Sequence, residues 1–409
     1  MITSKLENQI SKDKNILIIL NKDVERHTEL QYLMDHFCGS VTNHLSEIKN
    51  IQSDIKIYAC GDFSNIEISD VEFNIIKDLS LNYENFLSQK TQLISLGEVP
   101  IIISNAGVYF RNLFPENDYF NKIKSEHEFQ YLTESTKDSK AFRTGIYLTE
   151  ILKETENNTE VFNFHLLRCS SNFTGPTDNF RETDHFIIHK LNECVKYVFF
   201  FFFKLNHVLA QIYENTQKTE HSQKEIKAKI KAHSDKTKDM PKEGLIAFCT
   251  FYDRRDFTGL NPSETDPFDW CYKQITGLTK LHFKLKSTVM DESLEKEFSV
   301  ILYPNSVFLI PLSTNRLYTH EIKPSMLNVE KIPVRMGYVV RCSNVEAKFM
   351  NNETFINENG NLIKLEPMTS ESIQNLRNSY IEENKTENLV EYGEVHFSMN
   401  LGDYEKPIF

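Results

Sequence analysis

Apolar residues in the first part of the chain fall in short runs separated by charged stretches. Residues 15–20 (NILIIL), 55–60 (IKIYAC) and 100–104 (PIIIS) have the length and continuity of strands, and 29–37 has helical spacing. The turn Asn105-Ala106-Gly107 closes the third run. This pattern predicts a mixed α/β region over residues 1–159. The first run is followed by Asn21-Lys22-Asp23 rather than a glycine-rich turn, so the phosphate cradle of a nucleotide-binding fold is missing. The region reads as a scaffold or a partner-binding domain.

The texture changes near residue 160. A strand is predicted over 160–169, followed by a polar, turn-rich stretch over 170–183. A long apolar helix is then predicted over 184–213, with Thr183 or Asp184 as its cap. This segment holds five consecutive Phe, 199–203, flanked by Lys190, Lys196 and Lys204, and reads as a face buried against a sheet. Beyond it, strands are predicted over 225–232, 244–252, 280–288, 298–303, 306–312 and 337–342, the spacing of a β-sandwich or jelly roll. The polar stretch 351–409 predicts one helix, 370–383, and a final strand, 393–399. Three units follow: 1–159, 160–350, and a C-terminal extension, 351–409, packing on the core. No internal repeat is visible.

Composition narrows the function classes. Of 409 residues, 58 are acidic and 46 basic, and the net charge of −12 opposes coating nucleic acid by bulk electrostatics. A local basic groove remains compatible, because residues 218–242 are rich in Lys. The seven Cys are scattered with no Cys-x-x-Cys pair, which fits a reducing compartment better than a disulfide framework or a zinc site. No apolar run approaches the ~20 residues that cross a bilayer, and no secretory signal is apparent. The expectation is an intracellular protein, cytoplasmic or nuclear, with no membrane partner. Its oligomeric state is not legible.

One His-x-Asp triplet occurs, His233-Ser234-Asp235, where a predicted strand gives way to a loop. Side chains at i and i+2 of an extended segment point the same way, so both can reach one metal ion. Two imidazoles and one carboxylate on a face of an octahedron are the ligand set of non-haem Fe(II) oxygenases. Roughly one such triplet arises by chance in a chain this long, so the downstream context decides its weight. That context is SVILYPNSVFLIPLSTNRLYTHEI, which ends near His320, followed by Arg335-Met336-Gly337-Tyr338-Val339-Val340-Arg341. Residues 335 and 341 are an even number of positions apart, so both arginines project from one face of a strand.

At these residues the chain resembles the 2-oxoglutarate- and Fe(II)-dependent dioxygenases, and within them the AlkB-like branch. NRLYTHEI resembles the segment around the distal His of that branch, and RMGYVVR its Arg-x5-Arg strand. The resemblance covers about 160–345. It implies an α+β protein whose double-stranded β-helix (jelly-roll) core, with supporting helices, follows the N-terminal α/β region. It also implies an enzyme using Fe(II), 2-oxoglutarate as co-substrate and O2, with no catalytic group apart from the metal centre. His233, Asp235 and His320 would hold the metal. Arg335 would bind the distal carboxylate of 2-oxoglutarate, and Arg341 would sit nearer the metal, against the other carboxylate or Asp235. AlkB-like proteins place an Asn-x-Tyr pair about ten residues before the His-x-Asp. Here that place holds Ser222 and Lys224, so the contact is absent or replaced. Strict alternation would put Lys227, Lys229 and Lys231 on the face of His233 and Asp235, whereas a bulge before His233 would turn them to solvent.

The same resemblance implies hydroxylation or oxidative demethylation of a C–H bond, on a modified base of DNA or RNA bound through a local basic rim. The loops expected around the mouth are 170–181, 236–242 and 253–279. The last carries Arg254, Arg255 and the only tryptophan, Trp270, as substrate-binding candidates among aromatics that equally suit a packed loop. A protein side chain or a small metabolite is the alternative substrate. A non-catalytic jelly-roll binding protein is the alternative class, although it would need no intact metal triad.

Overall fold

In the computed structural model, NILIIL forms strand Asn15–Leu20, an inner strand of a five-stranded parallel sheet. Its neighbours are Ser40–Thr42 and Lys56–Asp62, and beyond the latter lie Phe73–Leu81 and Thr91–Ile94. The run is continuously apolar because both faces are covered: Leu17 and Ile19 enter one hydrophobic cluster, Ile18 and Leu20 another. The described residues are 9–20, 28–44, 54–64, 72–87, 90–115, 117–133, 140–168, 175–216 and 225–409. Asn21-Lys22-Asp23, Cys169, residues 170–174 of the 170–181 loop, and Ser222 and Lys224 lie outside them. The other six cysteines are free thiols.

The rest of the chain is mostly β. A nine-stranded sheet has Arg335–Arg341 at its centre, between His207–Tyr213 on one side and Leu245–Tyr252 on the other. Lys140–Thr149 lies outside His207–Tyr213, while Ser306–Pro311, Gly107–Phe110 and Ile101–Ile103 continue the opposite side. Strands from both sides of residue 160 are therefore hydrogen-bonded in one sheet.

This sheet is buried on both faces. On one, Met336, Tyr338, Ala247 and Cys249 pack with Ile187, Leu191 and Val195 of helix Glu182–Val198. On the other, Ile246, Phe248 and Phe308 share a cluster with Leu281, Phe283 and Phe298 of a second, four-stranded sheet. The second sheet runs Ile230–His233, Tyr318–Lys323, Lys280–Leu285, Glu297–Ile301. A further five-stranded antiparallel sheet joins Leu152–Glu156 and Thr159–Leu166 to Val345–Met350, Glu353–Glu358 and Asn361–Lys364. No helix among the described residues is long and apolar enough to cross a membrane.

Several expectations are corrected. The helix predicted over 184–213 ends at Val198, is capped at Arg181, and gives way to strand His207–Tyr213. The Phe run is not a buried face. Phe199 is buried, but Phe200 to Phe203 are 38–68% exposed in the connection between helix and strand. Lys14 fixes the helix end by donating from Nζ to the carbonyls of Lys196 and Phe199. Residues 393–399 form no strand; Phe397 and Met399 instead pack on Leu376 and Tyr380 of helix Ser370–Lys385.

Candidate metal centre

Asp235 is the organising residue. It follows the strand Ile230–His233, and its main chain is clamped by Asn315, which accepts from its N–H and donates to its carbonyl, both at 2.8 Å. Ser234 beside it donates from its hydroxyl to the Tyr318 carbonyl at 3.1 Å and from its N–H to Asn384 at 2.7 Å. The turn carrying the triplet is thus pinned by the strand that bears His320 and by the C-terminal helix.

Between Ile230 and His233 the pairing with Tyr318–Lys323 slips. Ile230 faces Ile322 and His233 faces His320, three steps on one strand against two on the other. This irregularity decides the fate of the preceding lysines. Lys229 and Lys231 are exposed, while Lys227 donates to the Ser325 carbonyl at 3.1 Å.

The slip brings the two imidazoles together, with ring centroids 4.5 Å apart. Nε2 of His233 lies 3.5 Å and Nε2 of His320 3.7 Å from Oδ1 of Asp235. Nδ1 of His233 is 2.9 Å from the Lys231 carbonyl, a contact that places the proton on Nδ1 and leaves the Nε2 lone pair toward the cluster. His320 is buried against the Phe248 and Phe283 rings. Burial, aided by His233, lowers its pKa to about 3, so the imidazole is neutral. Burial would raise the Asp235 carboxyl, but Arg341 and the two imidazoles overcome it and hold it well below the usual carboxylate range. Two imidazoles and one carboxylate, mutually within 4.8 Å, suit a divalent ion, whose adjacent ligands stand about 3 Å apart in an octahedron.

Arg341 reaches the other oxygen of Asp235, with Nη2 at 2.6 Å and Nε at 2.9 Å from Oδ2. Arg335, at the far end of the same strand, is 5% exposed and has no ion-pair partner among the described residues; its Nη2 is buried without a hydrogen bond. Its guanidinium lies 4.2 Å above the Tyr213 ring, whose hydroxyl donates to Gln211 at 3.0 Å. Gly337 makes this possible: a Cβ there would come within 3.1 Å of Arg335 Nη1 and 3.2 Å of Tyr213 Cε2.

The structure brings His233, Asp235, His320 and Arg341 together, with Arg335 at the other end of the strand that carries Arg341. Arg254, Arg255 and Trp270 do not join them. Tyr252 pairs with Arg335 and Ile246 with Arg341, so the loop after Tyr252 leaves from the Arg335 end of the sheet, about 20 Å along the strand from Arg341. Arg254 is exposed, Arg255 pairs with Asp253 at 2.5 Å, and Trp270 packs edge-on against Phe257. The 236–242 loop does follow Asp235, but Asp239 in it is bound to Arg168 at 2.8 Å.

Sequence reasoning missed Asn315, Gln211, Tyr213 and the end of the C-terminal helix. The pair Gln211-x-Tyr213 has the period-two spacing of a strand, a signal hidden when 184–213 is read as one helix.

No family model matches the chain, and no curated relative does. Among solved structures it is similar to an oxidoreductase of the 2OG-Fe(II) oxygenase family from Burkholderia pseudomallei. Identity is 7%, over 48% of this chain and 73% of that one, with a TM-score of 0.24. It is also similar to OsALKBH1, at 14% identity over 58% of this chain and 96% of that one, with a TM-score of 0.32. Neither overlap bears on the chemistry, which rests on the residues themselves.

Proposed function

We propose that the protein is an Fe(II)- and 2-oxoglutarate-dependent dioxygenase with a double-stranded β-helix core formed by the nine- and four-stranded sheets. The observation that carries this reading is the pairing of an Asp-bound arginine with one on the same strand face that has no ion-pair partner among the described residues. Arg341 is neutralised by Asp235, whereas Arg335 is buried with no acid beside it among the described residues, an arrangement that is costly unless an anion arrives.

His233, Asp235 and His320 would hold the metal, which when bound activates O2 for oxidation of a C–H bond at the expense of 2-oxoglutarate. The chain's own work is positional. Arg341 fixes one carboxylate oxygen so that the other faces the imidazoles. Arg335 receives the distal carboxylate of the co-substrate in a charge-assisted pair. Gln211 and Tyr213 take the place that the Asn-x-Tyr pair holds in AlkB-like proteins. Phe248 and Phe283 keep water from the His320 side.

For the substrate we carry forward a modified base of DNA or RNA, supported by the resemblance in sequence and by the exposed Lys229 and Lys231 beside His233. A protein side chain or small metabolite is the alternative. The test is 2-oxoglutarate-dependent succinate formation by anaerobically purified, Fe(II)-loaded protein, with methylated oligonucleotides and peptides compared. Stimulation by oligonucleotide alone supports the base; stimulation by peptide alone replaces it. No succinate with or without either substrate rejects the dioxygenase reading.

A further inference from the structure

On the interior face of the large sheet, Arg143, Tyr213 and Arg335 stand in one row across three strands: Arg143 opposes Tyr213, and Tyr213 opposes Arg335. Directly opposed residues of antiparallel strands project to the same side, with Cβ atoms about 5 Å apart. Their chain neighbours Ile212 and Met336 belong to the cluster on the opposite face, which fixes the side on which this row lies. The next row inward is Gly145, Gln211 and Gly337. Glycine flanks Gln211 on either side in that row, and the Arg335 guanidinium and the Tyr213 ring lie over Gly337.

Both guanidinium groups are incomplete. Nε of Arg143 and Nη2 of Arg335 are buried without a hydrogen-bond partner, and neither residue forms an ion pair among the described residues. Buried donors without a partner among the described residues are costly, and two cations in one row of the sheet favour an anion. A carboxylate offers about four lone-pair sites, enough for one guanidinium on each side.

We propose that Arg143 is a second guanidinium for the distal carboxylate of 2-oxoglutarate, and so a residue that makes the pocket select a dicarboxylate over a monocarboxylate 2-oxo acid. This rests on the reading of the site given above. Arg335 approaches the carboxylate from the Gly337 side and Arg143 from the Gly145 side, with Tyr213 as the aromatic floor between them.

The test is calorimetric binding to Mn(II)-loaded protein of 2-oxoglutarate and of 2-oxopentanoate, which has the same chain length but no distal carboxylate. Arg143→Gln is expected to weaken 2-oxoglutarate about tenfold and leave 2-oxopentanoate unchanged. Arg143→Lys, which keeps the charge, should recover part of the loss. Unchanged 2-oxoglutarate affinity in Arg143→Gln, or equal loss of both ligands in both variants, overturns the proposal. Arg335→Gln separates the two claims. If it weakens 2-oxoglutarate while Arg143→Gln does not, only the second-arginine claim falls. If the wild-type protein binds no 2-oxoglutarate, the reading of the site falls with it.

Discussion

Arg341 and Asp235 divide the labour of one carboxylate: the guanidinium takes Oδ2 at 2.6 and 2.9 Å, and Oδ1 is left facing both imidazoles. A carboxylate free to rotate would present either oxygen to the cluster. Here the arginine on the opposite sheet removes that freedom and supplies the charge that keeps a buried acid ionised.

Removing that arginine should therefore damage both stability and metal binding. Arg341→Gln leaves Asp235 buried without a cation, a change expected to cost about 3–5 kcal/mol. Thermal unfolding should show a lower Tm and calorimetry a weaker Mn(II) affinity. Adding Asp235→Asn should restore part of the stability without restoring the metal. An unchanged Tm in the single variant would show that the pair is not what stabilises the carboxylate.

Gly337 should be intolerant of even one methyl group. Gly337→Ala places a Cβ 3.1 Å from Arg335 Nη1 and 3.2 Å from Tyr213 Cε2, so the guanidinium must shift. The expected result is at least about tenfold weaker 2-oxoglutarate binding, the loss of a charged hydrogen bond, with Mn(II) affinity unchanged. Equal loss of both would point to a general collapse of the strand.

A buried ionic cluster on the other face of the sheet sets a pH dependence of folding. His127 lies 2.7 Å from Asp178 and 2.8 Å from Asp184, which also accepts from Tyr338. Burial opposes its protonation, but the two carboxylates prevail and raise its pKa from 6.5 to about 9. The folded state therefore holds this proton more tightly than the unfolded chain. Its stabilisation is complete below about pH 6.5 and lost as pH rises toward about 9. Asp403, raised by burial to about 7, acts in the same direction at lower pH. Urea unfolding between pH 6.5 and 9 should show falling stability, with the decline flattened in His127→Gln.

The Phe run offers a contrast between adjacent identical residues. Phe199→Ala should cost about 3–5 kcal/mol, because that ring is fully buried. Phe201→Ser, at a site 68% exposed, should change stability by no more than about 0.5 kcal/mol. Urea unfolding of the two variants separates the positions.

What the sequence disclosed follows from where each signal resides. NILIIL read as a strand because both faces of its sheet are buried. The site residues read through spacing: i and i+2 for His233 and Asp235, an even separation for Arg335 and Arg341. The strand Lys140–Thr149 was illegible because its interior face carries Arg143 and Gly145, a charged and a small residue that interrupt the apolar alternation. His207–Tyr213 was absorbed into a helix because a continuous apolar run has no period to tell one state from the other. Exposure of Phe200 to Phe203 depends on where the helix stops, which Lys14 fixes from a distant part of the chain. Asn315 and Asn384, which pin the His233–Asp235 turn, carry no local pattern.

The most direct test is calorimetric titration of 2-oxoglutarate into protein loaded anaerobically with Fe(II), set beside metal-free protein and His233→Ala, Asp235→Ala and His320→Ala. The account predicts saturable binding to the wild-type protein that requires the metal and is lost in all three variants. Binding that is indifferent to Fe(II), or that survives in the His320→Ala protein at wild-type affinity, would contradict it.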